Sequence, residues 1–159
     1  VVMPTDLPNQ MMEDSQEPLY SIWAIVLATV LGSPVAGGVL SAINCKRLLC
    51  PEIMQTVFLL HLALTVGFVL LGEIVPDGQQ LLEAVLVGLQ VFVVYFFAVR
   101  LHGRAIAVHV QNGGQLASYW SAAAIGIGCG LALLWILVGL GLMSPPQPGL
   151  EDTGLAGIV

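Results

Sequence analysis

The residues with most capacity for chemistry are four polar side chains set in two long apolar stretches. His61 lies about eight residues into one stretch, with Thr65 a helical turn later; Gln90 lies near the middle of the next, with Glu83 seven residues before it. Residues seven positions apart return to nearly the same helix face. Ionisable groups inside a membrane are costly and by default indicate function, here a proton or ion path from Glu83 through Gln90 to His61.

The same side chains have a simpler interpretation, which we favour. A hydrogen bond between His61 and Gln90 would join two helices and contribute about 1 kcal/mol. A single neutral histidine needs only one partner, whereas a conducting path usually contains more than one deep carboxylate. Glu83 is expected near the outer surface, where water solvates it.

Other chemistries lack their residues. His102 and His109 are expected on a solvated helix face at the cytoplasmic edge, so a haem held by two histidines lacks its second ligand besides His61. Cys45 and Cys50 supply half of a structural zinc site. No catalytic triad, nucleophile elbow or phosphate-binding loop can be assembled. We therefore predict no metal, no cofactor and no enzymatic activity.

Four apolar runs must position these side chains, in a chain of 159 residues that is 57% hydrophobic and 9% charged. The runs cover residues 19–44, 53–71, 81–99 and 117–143. Each approaches or exceeds the roughly 20 residues that a helix needs to cross about 30 Å of hydrocarbon. Backbone polar groups have no water to bond in lipid, so each run must be helical. The sequence predicts an all-α integral membrane bundle of four transmembrane helices, with extramembrane tails at residues 1–18 and 144–159.

Charge distribution predicts the orientation of this bundle. All four basic residues lie in two alternate connections, which the positive-inside rule assigns to the cytoplasm: Lys46, Arg47, Arg100 and Arg104. Acidic residues concentrate in the N-terminal tail, the middle connection and the C-terminal tail. Both termini are then expected outside the cytoplasm, in what we predict to be a bacterial inner membrane.

Small residues mark the expected helix contacts. In the fourth run they recur every fourth residue, at Ser118, Ala122, Gly126 and Gly130, and the first run repeats the pattern at Ser33, Gly37 and Ser41, beside Gly32 and Ala36. Lipid tails are as apolar as leucine, so membrane helices associate where small residues let backbones approach. These faces could meet within one chain or between two chains. Pro34 should kink the first helix, with Ser33 available to bond the freed backbone groups.

Two segments resemble small bacterial four-helix membrane proteins. LGSPVAGGVLSAINCKRL, residues 31–48, resembles their glycine-proline-alanine-glycine first helix with its following Asn and Arg-Leu pair, and LHGRAIAVHVQNGGQLASYW, residues 101–120, resembles the loop before their last helix. The matching positions are Gly32, Pro34, Ala36, Gly37, Asn44, Arg47, Leu48, Gly113, Gly114, Ser118 and Trp120. Cys45 departs from the pattern, where an aromatic residue is more usual, and the glycine after the Arg-Leu pair is missing. The resemblance implies a fold and supplies no activity.

These observations lead to one functional expectation with one rival. We expect a non-enzymatic assembly or accessory component that lies in the lipid bilayer and associates with itself or with other membrane protein subunits. No segment favours nucleic acid as a partner. The rival is a small channel or transporter subunit that uses the polar face of Glu83, Gln90 and His61.

Overall fold

The computed structural model describes residues 17–48, 51–75 and 79–141, and it is all-helical apart from short connections. Its four helices are α1 (Ile22–Arg47), α2 (Pro51–Ile74), α3 (Gln80–Gln111) and α4 (Tyr119–Gly139). All four are long and apolar enough to cross a membrane by length and composition. The prediction of four apolar helices is therefore confirmed. Residues 1–16 and 142–159, which hold most of both predicted tails, lie outside the described residues.

Helix α1 is broken in the middle, and the break is sharper than the kink expected from proline. Gly32 has φ −140° and ψ 16°, and Ser33 has φ 78° and ψ 172°. A φ near 78° lies in the left-handed half of the map, which residues with a Cβ rarely adopt. Pro34 then starts a second helical arm, as prolines commonly do, since its missing N–H leaves no donor unpaired there. The chain thus has a first arm, residues 22–31, and a second arm, residues 34–47.

The two arms lie side by side, so α1 is a helical hairpin. The Tyr20 N–H donates to Oδ1 of Asn44 and the Asn44 amide donates to the Tyr20 carbonyl, both at 2.8 Å. A straight helix would separate these residues by about 36 Å. Near the turn, a Cβ added to Gly37 of the second arm would overlap the Thr29 hydroxyl of the first. The chain therefore returns to the end at which it entered.

Arg47 holds the segment before α1, residues 17–20, against the end of the second arm. Its Nε lies 3.0 Å from a carboxylate oxygen of Glu17, and its guanidinium lies over the Tyr20 ring, 5.4 Å from the centroid. The same side chain donates to the carbonyl of Pro18. Leu19 also bonds to the segment before α4, donating to Gln115 and accepting from Ala117. Residues 17–20, 44–47 and 115–119 thus share one end of the molecule, which we call the basic end.

The sequence predicts one transmembrane helix over residues 19–44 with a kink at Pro34, and the structure instead folds this run into a hairpin of two arms. The first arm has ten residues and the second fourteen, which correspond to about 15 Å and 21 Å of helix. Neither length covers the roughly 30 Å of a hydrocarbon core. The chain reverses direction at Gly32 and Ser33. The run is uniformly hydrophobic, so its hydropathy gives no sign of this reversal. Residues 17–20, which include the end of the predicted external tail, lie beside Arg47.

The hairpin is the centre of the fold. It packs against α2, α3 and α4, whereas α2 and α3 meet only briefly. Within the described residues, the backbone of α4 approaches neither α2 nor α3. The core accordingly lies along α1, where Ala24, Ile25, Ala28, Ala36 and Leu40 are fully buried. The third helix continues past the predicted span 81–99 and ends at Gln111, next to the break predicted at Asn112, and His102 and Ile106 continue the face that packs on α1.

Asn44→Ala should lower the free energy of unfolding by about 3 kcal/mol, because it strands the buried N–H and carbonyl of Tyr20 at about 1–3 kcal/mol each. Thermal unfolding in detergent should show the loss as a lower melting temperature. Asn112→Ala is the matched control, since Asn112 is exposed at the end of α3. Equal melting temperatures for the two variants would mean that the hydrogen bonds between Asn44 and Tyr20 do not stabilise the hairpin.

Candidate functional site

The structure separates the four polar residues singled out from the sequence. His61 and Thr65 are buried on α2, with 2% and 3% of their surface exposed. On α3, Glu83 is exposed and Gln90 is half-buried. No hydrogen bond joins His61 to Gln90, because the Nδ1 atom of His61 bonds to Val57 and its Nε2 atom has no partner in the protein. The predicted hydrogen bond between His61 and Gln90 is therefore not formed.

His61 instead faces the second arm of the hairpin. A Cβ added to Gly38 would lie 2.6 Å from the His61 Cβ and 3.7 Å from its Cδ2, so glycine makes room for the imidazole. The ring of Phe97 on α3 lies 6.4 Å away, centroid to centroid. His61 therefore sits where α1, α2 and α3 converge.

The tautomer of His61 follows from its one hydrogen bond. Nδ1 lies 2.8 Å from the Val57 carbonyl oxygen, one turn earlier. A carbonyl can only accept, so Nδ1 must carry the proton, and in the neutral ring Nε2 is a bare acceptor. Thr65 does not reach this atom, because its hydroxyl donates to the His61 carbonyl at 3.0 Å. The acceptor of His61 points into the interior without a protein donor.

His102 is a second buried histidine, which corrects its predicted place on a solvated face. It is 2% exposed, and its Nε2 atom also has no partner in the protein. Val94, Ala98, His102 and Ile106 recur every fourth residue and are all buried, which places His102 in the contact between α3 and the hairpin. His109, by contrast, bonds through Nε2 to Gln115 at the basic end.

Two serines of the hairpin complete a set of unpartnered polar atoms. The hydroxyl oxygens of Ser33, at the turn, and Ser41, on the second arm, are buried and unbonded. The expectation that Ser33 would satisfy backbone groups freed at Pro34 is therefore not met. Thr29 differs, since its hydroxyl donates to Ile25 at 2.9 Å. Buried polar atoms without partners are uncommon in native proteins, and each one requires an explanation.

The small residues of α4 pack against the first arm. Cβ atoms added to Gly126 or Gly130 would lie 2.9 Å from carbonyl oxygens of Ala28 or Leu31, respectively, and Ala122 is fully buried. Ser118 instead caps α4 by accepting from the Trp120 N–H. Gly37 and Gly38 of the second arm face the first arm, α3 and α2 rather than α4. These small-residue stripes therefore make contacts within one chain.

The four basic residues lie on the half of the molecule that includes the basic end. Lys46 and Arg47 end the hairpin, and Arg100 and Arg104 lie on the last third of α3. Arg100 rests over the Phe96 ring at 5.4 Å, which leaves the charge at the surface of the helix. His102 lies between these two arginines in sequence, yet its side chain takes the opposite, buried direction.

Sequence reasoning missed two residues that organise this interior. The sequence singled out Asn44 only as part of the resemblance. A single Asn at the end of an apolar run could also indicate a buried side chain that hydrogen-bonds to backbone groups. His102 was assigned to a solvated face because it lies at the predicted cytoplasmic edge and lacks a third metal ligand nearby, although its spacing of four from Ala98 and Ile106 gives the packed face. Charged neighbours at positions two away point to the other side of a helix and do not define its buried face.

The arrangement can supply acceptors and hydroxyls but not a full metal site. No group of three or more His, Cys, Asp or Glu side chains comes together among residues 17–48, 51–75 and 79–141. Cys50 lies outside those ranges, so the predicted Cys45 and Cys50 pair cannot be compared. The chain matches no protein-family model, no curated protein and no solved structure.

Proposed function

We propose that the protein is a non-enzymatic component of a membrane that associates with a second copy of itself or with other membrane proteins through the outer face of α4. One observation carries this proposal. Ala124, Gly128 and Ala132 recur every fourth residue and are all exposed, and no atom lies within 4 Å of a Cβ added to Gly128. A stripe of small residues lets another helix approach closely in lipid.

The outer stripe is distinct from the small residues that hold α4 in the fold. Gly126 faces the hairpin, and Gly128 follows two residues later, about 200° around the helix. Because α4 packs on α1 and on neither α2 nor α3 in the described part of the chain, its opposite side is unobstructed. Trp135 is 75% exposed beside this stripe. An interface here would leave the intramolecular contacts of α4 intact.

The proposed setting is a bacterial inner membrane crossed three times. Helices α2, α3 and α4 correspond to about 36, 48 and 31 Å of helix, enough to cross, whereas the hairpin enters and leaves at the basic end. The positive-inside rule assigns that end to the cytoplasm. The segment before α1 would then be cytoplasmic, and the end of α4 would be outside the cytoplasm.

Gly128→Leu should abolish association, because a branched side chain keeps the facing backbone away. The measurement is a native mass in mild detergent, with co-purifying proteins identified. The wild-type chain should run at twice its own mass or with a partner, and the variant at its own mass. Gly88→Leu is the matched control, since Gly88 on α3 is also exposed with open space around it. A wild-type chain that runs alone at its own mass would contradict the proposal.

The buried polar atoms favour a second candidate, a small channel or transporter subunit. A broken helix with its break inside the membrane is tolerated where protein buries it or where it lines a water-filled cavity. This candidate would use His61 and His102 rather than Glu83 and Gln90. Proton or ion flux in liposomes that exceeds protein-free liposomes and disappears in His61→Leu would support it. Flux equal to that of empty liposomes would exclude it.

A further inference from the structure

We propose that Ser41, His61 and His102 hold ordered water inside the membrane, bound to the bare Nε2 atom of His61. The site lies between the second arm of the hairpin, α2 and α3. Its three side chains are buried, with exposures of 0%, 2% and 2%. Each has a polar atom without a protein partner: Oγ of Ser41 and Nε2 of each histidine. The proposal does not depend on association through α4.

The chemistry of His61 demands a donor at this place. Its Nδ1 proton is committed to Val57, so Nε2 can only accept a hydrogen bond. The ring edge that carries Cδ2, the carbon bonded to Nε2, lies against the arm at Gly38. Ser41 follows Gly38 by three residues and therefore lies on the same side of that arm, one turn nearer the basic end.

His102 supplies a further polar atom to the same region. Its burial on the α3 face that packs against the hairpin directs the imidazole inward, where its Nε2 atom has no protein partner. A buried water typically makes about three hydrogen bonds, and it requires at least two polar partners. Ser41, which can donate and accept, together with two imidazoles meets that requirement.

Water suits the site better than a metal ion does. A structural or catalytic zinc takes at least three protein ligands, and no such group forms in the described residues. A hydroxyl and two neutral imidazoles match the mixed donors and acceptors of water.

The test is ¹⁵N NMR of histidine-labelled full-length protein in lipid bilayers. The chain has only three histidines, so His102→Phe and His109→Gln assign the spectrum. His109 is an internal reference with the opposite tautomer, because its Nε2 donates to the Gln115 carbonyl. Wild-type His61 should show a protonated Nδ1, a hydrogen-bonded Nε2 and magnetisation transfer from water to the imidazole.

Ser41→Ala should reduce that transfer at least several-fold, since the water loses a partner. Ser121→Ala should leave it unchanged, because Ser121 bonds to the Ser118 carbonyl on the exposed side of α4. Unchanged His109 signals report that each variant is folded. A wild-type His61 with a bare Nε2 and no transfer from water would overturn the proposal. Transfer that persists fully in Ser41→Ala would overturn the assigned site.

Discussion

A cysteine placed at Pro18 should react with a membrane-impermeant maleimide only when the cytoplasmic face is exposed, as should one at Asn112. Cysteines at Gln79 and Leu140 should react in intact cells. All four positions are exposed. The reason is geometric, because the hairpin returns the chain to the basic end and leaves three helices to cross the bilayer. The starting protein should have its native cysteines replaced: Cys45, Cys50 and Cys129.

This labelling experiment separates two topologies that share the same apolar runs. If α1 crossed the membrane as a straight helix, Pro18 and Leu140 would both react from outside. With a hairpin, the cysteine at position 18 instead reacts from the same side of the membrane as the cysteine at position 112. Asn112 is the control for orientation, since it follows the helix that carries Arg100 and Arg104. If the cysteine at position 18 reacted in intact cells while the cysteine at position 112 did not, the hairpin in the membrane would be ruled out.

Gly32→Ala should lower the free energy of unfolding by about 3 kcal/mol or more, at the upper end for overpacking in a core. A Cβ at Gly32 would overlap the carbonyl group of Gly126, and backbone cannot move aside as a side chain can. The hairpin turn would have to separate from α4. A fall of roughly 10 °C in melting temperature is expected in detergent, at about 2–4 °C for each kcal/mol.

Gly88→Ala is the control for this change, because nothing lies within 4 Å of its added Cβ. It should leave the melting temperature unchanged or raise it, since alanine favours helix over glycine by about 1 kcal/mol. The comparison therefore predicts opposite signs for the same chemical substitution. If the Gly32→Ala and Gly88→Ala variants have the same melting temperature, the hairpin turn does not touch α4.

The sequence was sufficient to predict helices but not the direction of the first one. Hydropathy and length identify apolar helices because lipid imposes the same requirement on every backbone group. At Gly32 and Ser33 the outcome depends on two φ angles and on the partner of Asn44, which no hydropathy pattern contains. Proline at position 34 was an appropriate warning of a break. Its result, a kink or a reversal, depends on Tyr20 and Asn44, which close the hairpin and lie 24 positions apart.

The polar interior was only partly predictable for a similar reason. The burial of His61 follows from its place in an apolar run, and it is confirmed by its 2% exposure. Its contacts could not be deduced, because His61 packs against the second arm of a hairpin whose existence was not expected. His61 consequently bonds to Val57 rather than to Gln90. His102 was predictable in principle from its four-residue spacing with Ala98, and its place at the predicted cytoplasmic edge obscured that spacing.

The bonds between Leu19 and the segment before α4 also bear on the order in which the protein is made. Ser21 bonds to Tyr119, 98 residues later, and Leu19 bonds to Gln115 and Ala117. At about 5–20 residues per second, a ribosome needs roughly 5–20 s to supply those partners. We therefore expect the hairpin to be synthesised before the other three helices and completed after them. Nascent chains that end at Gln111 should expose Pro18→Cys to maleimide more than full-length chains do.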